Sequence, residues 1–600
     1  MIQELQEFWI QYKKQIAEEA NVLLNKSMPA ITEMLYEIFE ETGSRMEFEE
    51  VYFGRRRFLA VFGLEALVEE QETGTVSQRT LQKLTEVIEE TCREECWAIA
   101  AHINRNDANW RRTVDLFAAE TAQTMAELAD RLQKFLPKEL HAKMVNNVEN
   151  RVLEPFFSTE VGQYGWENAD HNWNAVILGS IGSASLHLKR EQPKELEQCV
   201  ERVCNSLSYY VDGFAEDGTC MEGLSYFTYG MTYFVNFAQE LYAYTKGTKD
   251  LLCGAWGTFK EENQDKRERM ASFQSKCYFR DGRTISFSDG SSHDKFRVGL
   301  SCVLAGRFAQ VKMPPMKQAA GLLDDTCYRF AALKMDLFEI PNYIELLTES
   351  GRKENKVDAE SRFQVLPDAQ WCIAESENGV GMACKGGHNG EPHNHNDTGS
   401  FLYESKGVFF LTDLGAGEYT KEYFGENRYD ILCNNSYGHN LPIVAGQGQK
   451  AEDDYRCTAF WTGTQKKESQ VCMELAKTYP HELLQSFQRK LNFSLETGCL
   501  KVQDHFSFFQ GKEDKCFENL VTQVKPEVQG NQIIITQNGA SAVITIADVQ
   551  ETSQIVVRAA THSNHSAQTE PFYMIQWQVP QDGHSTFQIN IQNTTESKHK

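Results

Sequence analysis

The sequence predicts a multidomain α and β protein, with an amino-terminal array of antiparallel helical hairpins followed by a carboxy-terminal antiparallel β-sandwich. Three observations predict this. Apolar residues recur at three- and four-residue steps through the first half, and after about residue 360 they fall instead into short alternating runs between hairpin turns. The chain of 600 residues also exceeds what one hydrophobic core organises.

The helical elements come first. From Val114, the positions Phe117, Ala118, Met125, Leu128, Ala129, Leu132 and Phe135 form one stripe that Pro137 stops. Leu196, Val200, Val203, Leu207 and Tyr210 form a second stripe. Tyr226, Tyr229, Tyr233, Phe237 and Leu241 form a third, after the loop from Asp212-Gly213 to Glu222-Gly223. The polar segment Glu349 to Ser361 marks the boundary, which divides the chain into 1–355 and 356–600. Beyond it, Phe401 to Tyr403 and Val408 to Leu411 flank Ser405-Lys406-Gly407, and Asn538-Gly539 joins Ile533–Ile535 to Val543–Ile546 as a hairpin. Leu491, Phe493 and Leu495 alternate with polar residues, then Thr497-Gly498 turns the chain into Leu500 and Val502.

Composition excludes several classes. A hydrophobic content of 41% with 11% aromatics rules out wholesale disorder, and no run reaches the roughly 20 apolar residues of a membrane span. The formal charge of −25 opposes nucleic-acid binding. A local cleft holding Arg55, Arg56 and Arg57 could still oppose that sign for an anionic sugar. The start Met1-Ile2-Gln3-Glu4-Leu5 lacks an export signal, and 16 scattered cysteines without zinc-finger pairs suit a reducing compartment. A cytoplasmic location is expected, or a secreted one if a signal has been trimmed.

Three motifs carry candidate chemistry. The densest is Gly386 to Asp397, with His388, His393 and His395 within eight positions. On extended backbone His393 and His395 project to one face, so they could share a metal or flank a substrate. Asp413 and His439 lie downstream, and two histidines with a carboxylate make a plausible zinc set. The plainer reading is a solvated Asn/His-rich loop. The second motif is Asp170-His171-Asn172-Trp173-Asn174 with Trp166, where aromatic faces suit pyranose rings and amides suit hydroxyls or a carboxylate. The alternative there is a capped helix start with core tryptophans. The third is the glycine-rich loop before Tyr226, which either presents a phenol to a cleft or begins a packed aromatic face.

These motifs, in this order, resemble the heparinase II/III and alginate-lyase group of polysaccharide lyases, from about residue 90 to 510. Cys96-Trp97-Ala98-Ile99-Ala100-Ala101-His102, His171 to Val176, His393 to Asp397, Thr412-Asp413-Leu414-Gly415, and Arg428 ahead of Gly438-His439-Asn440 carry the likeness. The resemblance implies an (α/α) toroid with an antiparallel β-sandwich and a carbon–oxygen lyase that cleaves a uronate-containing glycan by β-elimination. A glycosaminoglycan or an alginate-like chain would be the anionic substrate, and a homo-oligomer is compatible. It implies that Asn172 and His171 stabilise the substrate's enolate-like charge and that Tyr226, 54 residues after Asn172, shares acid and base work with His393. A phenol of ordinary pKa needs a neighbouring cation or imidazole, which His393 and Arg428 would supply. Tyr419, with Tyr423 close by, would line the cleft. Trp97, His102, Trp173, Asn174 and Glu222 would bind substrate, and His395, Asp413 and His439 would hold a structural Zn2+. Two other readings compete. One is a glycoside hydrolase using Asp170, Asp217 or Glu222 across a cleft; the other is a noncatalytic glycan-binding protein.

Overall fold

The computed structural model describes residues 1–260, 263–350, 361–509, 516–547 and 554–593. The chain divides into two compact units. The first comprises Met1–Phe214, Tyr226–Ser272 and Lys295–Lys356; the second comprises Ala215–Ser225, Phe273–Asp294 and Val357–Lys600. The expected boundary at 355/356 lies outside the described residues. Two short segments from the helical half belong to the second unit, because their backbone and rings are built into its sheets. Asp217 accepts from the amides of Asp368 (2.8 Å) and Ala369 (3.1 Å), and Phe273 and Phe287 pack on Trp371.

The first unit is helical. The stripe from Val114 becomes the helix Leu116–Arg131, which begins where the Asp115 side chain accepts from the Ala118 amide. It packs on Asn172–Leu188, which packs in turn on Pro193–Asp212. Leu196, Val200, Val203, Leu207 and Tyr210 are buried, as the period requires. The opening helix Ile2–Leu23 packs on Phe330–Ser350, with Trp9 Nε1 donating to the Leu337 carbonyl at 2.7 Å. Among the described residues no helix is long and apolar enough to cross a membrane.

Arg55 and Arg56 correct one expectation. Both are buried and paired with Glu94, at 2.6 Å and 2.8 Å, while Arg57 donates to Glu19 at 2.7 Å. A buried guanidinium already bound by a carboxylate offers nothing to an anionic sugar.

The second unit is built from antiparallel strands. Arg362–Leu366, Trp371–Glu375, Val380–Lys385, Phe401–Ser405 and Val408–Leu411 form one sheet in that order. An eight-stranded sheet runs from Pro526–Gln529 at one edge to Ala459–Gln465 at the other, and a four-stranded sheet includes Cys516–Thr522 and Thr569–Gln578. The Asn538-Gly539 turn closes Gln532–Gln537 onto Ala540–Ile546 with both turn residues at positive φ, the conformation that Asn-Gly favours. Met382, Phe401, Phe410, Val471, Phe493, Leu520, Ile544 and Trp577, drawn from these three sheets, share one core.

Candidate functional site

The histidine loop is positioned from beneath by a buried cation. Strand Val380–Lys385 ends in Lys385, fully buried, whose Nζ lies 2.9 Å from Asp397 and 3.2 Å from Glu391. The loop between those carboxylates is thereby held at both ends, and Asn394 Nδ2 ties it to the Asn389 carbonyl at 2.8 Å. Within it His393 adopts φ +56°, a left-handed conformation uncommon for a residue with a β-carbon.

In the structure His393 and His395 both turn a ring nitrogen to one buried group. They share a carboxylate, Asp289. His393 Nδ1 lies 2.8 Å from Asp289 Oδ2, and buried His395 Nε2 lies 3.0 Å from Oδ1. Tyr419 donates to Oδ2 at 3.0 Å, Tyr423 donates to Oδ1, and Arg428 Nη2 reaches both oxygens at 3.4 Å. Burial alone would raise this carboxyl, but the two imidazoles hold it well below the ordinary carboxylate range. Burial and the charge of Asp289 push the Tyr423 phenol strongly up. Tyr423 is fully enclosed whereas Tyr419 keeps solvent access, so Tyr419 is the phenol able to meet a ligand.

Arg428 also braces the peptide between the histidines. Its Nε and Nη2 donate to the Asn394 carbonyl at 3.2 and 3.0 Å, Nη1 donates to the Tyr423 carbonyl at 3.1 Å, and its guanidinium lies over the Tyr423 ring. On the far side of His393, Nε2 lies 3.4 Å from Glu222 Oε1. The site in this unit therefore contains His393, Tyr419, Arg428 and Glu222 together.

His395, Asp413 and His439 offer ligand atoms that all lie within 4.8 Å of one another, and all three are buried. Asp413 follows strand Val408–Leu411, where Gly415 is required: a β-carbon there would lie 2.3 Å from the Gly290 carbonyl oxygen. That close approach brings the Asp413 turn against the Asp289 turn. The donor set suits a divalent ion. His395 Nδ1 has no hydrogen-bond partner, its Nε2 being engaged by Asp289, and His439 Nε2 faces the Cys433 carbonyl at 3.0 Å. His439 Nδ1 and Asp413 Oδ2 are 3.1 Å apart. Two imidazoles each anchored through one nitrogen, beside the Asp413 carboxylate, match the nitrogen and oxygen ligands of zinc. A second cluster, Glu127, His187 and Glu240, already holds a cation, because Lys334 Nζ lies 2.8 Å from Glu127 and 2.7 Å from Glu240.

In the helical unit, Asn172 is buried in the first turn of its helix and His171 precedes it as an extended residue whose side chain makes no cap. Trp173 and His102 are partly exposed with their rings 4.8 Å apart, and His102 Nδ1 lies 2.8 Å from Asp115, which orients it. Tyr226 is the third residue of Leu224–Tyr244 and is partly exposed. Two expectations are corrected. Trp97 is buried with Nε1 donating to the Thr91 carbonyl, and fully buried Asn174 donates to the carbonyls of Glu167 (2.8 Å) and Ser206 (3.0 Å). Both side chains are buried and hydrogen-bonded to backbone carbonyls within the helical unit. Asp289 is the residue that sequence reasoning missed. Its one local signal is the turn-like Ser288-Asp289-Gly290 after apolar Ile285 and Phe287.

No family model matches the sequence, and no curated protein matches it significantly. Solved structures do match. Heparan sulfate lyase HepC from Pedobacter heparinus superposes with a TM-score of 0.59 at 13% identity, covering 99% of this chain and 89% of its own. A heparinase III gives 0.59 at 12% identity over 92% and 78%, and a further heparinase III gives 0.58 at 13% over 98% and 91%. The chain thus has the heparinase III fold, with an amino-terminal helical part and carboxy-terminal antiparallel sheets.

Proposed function

We propose that this protein is a polysaccharide lyase that cleaves a uronate-containing glycan, of the glycosaminoglycan kind, by β-elimination on an (α/α) toroid with a β-sandwich. The observation that carries the reading is His393. A buried carboxylate orients its Nδ1, and Tyr419 and Arg428 converge on the same carboxylate. The packing of the first helix on the last of its unit supports a closed ring of hairpins.

In this reading Asn172 and His171 bind the uronate carboxylate at a helix start, where the positive end of the helix dipole favours an anion. That lowers the cost of removing the C5 proton. Tyr226 and His393 divide the two proton transfers. A base takes the C5 proton, the C–H electron pair becomes the C4–C5 double bond, the C4–O bond breaks, and an acid returns a proton to the departing oxygen. Trp173 and His102 provide a stacking surface for a sugar ring. His395, Asp413 and His439 would hold a Zn2+, which would supply a structural cross-link between the turns that carry them. The hydrolase alternative loses Asp217, whose two oxygens are occupied by Thr219 and by the amides of Asp368 and Ala369.

The test is new ultraviolet absorbance from the C4–C5 double bond on a panel of heparan, chondroitin, hyaluronan and alginate chains. Absorbance is expected on at least one, and its loss in Tyr226→Phe and His393→Ala. Cleavage without absorbance, or undiminished activity in both variants, refutes the reading.

A further inference from the structure

We infer that Asp289 couples the metal triplet to the sugar-facing imidazole, fixing the tautomers of His393 and His395 together so that ion occupancy and the orientation of His393 are set by one carboxylate. The inference rests on the reading above for what His393 does, and on geometry for how it is held.

The geometry leaves little freedom. An ionised carboxylate accepts and never donates, and two oxygens offer about four lone-pair directions. Asp289 is enclosed, and its oxygens meet His393 Nδ1, Tyr419 OH, His395 Nε2 and Tyr423 OH, with Arg428 alongside. Each of those four partners must therefore donate. His393 donates through Nδ1 and turns Nε2 toward Glu222; His395 donates through Nε2, which leaves Nδ1 as its nitrogen turned away from Asp289. Nδ1 is the nitrogen without a hydrogen-bond partner, and His395 is one of the three residues of the His395, Asp413 and His439 cluster. Neither the loop's hydrogen bonds nor the core accounts for an unpaired imidazole nitrogen in so polar a site.

The coupling follows from the shared acceptor. A cation on His395 Nδ1 makes its Nε2–H a stronger donor, which draws electron density toward Asp289 Oδ1. Tyr423 competes for that same oxygen, while His393 and Tyr419 divide the other. A change in one donation therefore redistributes the rest, and linkage makes the effect reciprocal. Asp289 is in this sense a positioning residue, acting on substrate through His393 and on the ion through His395.

Zinc affinity of the full chain, measured by competition with a chromogenic chelator, tests this without any glycan. Asp289→Asn places an amide NH2 where only acceptors fit, forcing one imidazole to the other tautomer, and zinc affinity should fall at least 10-fold, the usual scale for a residue that orients a metal-bound histidine. Asp289→Glu should recover part of the loss. Tyr423→Phe, which keeps the ring and removes the competing donor, should tighten zinc about 3-fold; damage to the fold would weaken it instead. Absence of zinc binding by the parent, unchanged affinity in Asp289→Asn, or unchanged or weaker binding in Tyr423→Phe overturns the coupling. Should Asp289→Asn fail to fold, the sign of the Tyr423→Phe effect still decides. A glycan panel without unsaturated product would sink the lyase reading and leave this result standing.

Discussion

His187 should make the helical unit's stability depend on pH in a defined window. Burial opposes charge on this imidazole, but Asp130 at 2.7 Å and Glu240 at 3.8 Å hold it protonated, and its pKa is raised from 6.5 to about 9. A folded-state pKa above the unfolded one means stability that is fully present below pH 6.5 and lost as pH rises through 9. The gap, at 1.36 kcal/mol per decade, amounts to about 3 kcal/mol. His187→Phe keeps the ring's bulk, and the neighbouring carboxylates retain other partners, since Arg190 lies 3.2 Å from Asp130 and Lys334 lies 2.7 Å from Glu240. Urea unfolding of both proteins from pH 6 to 10, followed by helical circular dichroism, gives the difference in stability and cancels groups common to both. The parent should lead by about 3 kcal/mol more at pH 6 than at pH 10. A gap that stays flat across that range refutes the assignment of a charged, carboxylate-held His187.

Three further outcomes are expected. Lys385→Met leaves Asp397 and Glu391 buried without their cation, so the β-rich unit should lose roughly 3–5 kcal/mol in denaturant titrations; a loss under 1 kcal/mol would show that the loop does not need the ammonium. Arg428→Lys cannot reproduce the fork on the Asn394 and Tyr423 carbonyls, and turnover should drop about 10- to 100-fold in steady-state assays with little change in melting temperature. Trp173→Ala should raise KM about 10-fold and affect kcat less, because stacking serves bound substrate and transition state alike; a selective fall in kcat would contradict that role.

What the sequence disclosed follows from how local each signal is. The Leu116–Arg131 helix and the Asn538-Gly539 hairpin were legible because period, cap and turn chemistry act within a few residues. His393, His395, Asp413 and His439 could be read in order because each stands in a short distinctive run, and the structure gathers the last three. Asp289 was not legible. It lies 104 residues before His393, in a turn like many others, and only tertiary packing supplies its donors. Arg55 and Arg56 misled for the opposite reason: adjacent basic residues look like a surface patch, yet their acceptor, Glu94, comes from a distant part of the chain. Trp97 shares the fate of most large aromatics, with its one polar atom satisfied inside the core.

The two segments that the helical half lends to the β-rich unit bear on biosynthesis. Ribosomes add about 5–20 residues per second, so Asp289 emerges roughly 5–20 seconds before His393 can reach it. During that interval the nascent chain carries a carboxylate destined for burial whose donors do not yet exist. Synthesis must therefore run far into the second half before the site can close, and a fragment starting at residue 357 would have every histidine of the cluster but neither Glu222 nor Asp289.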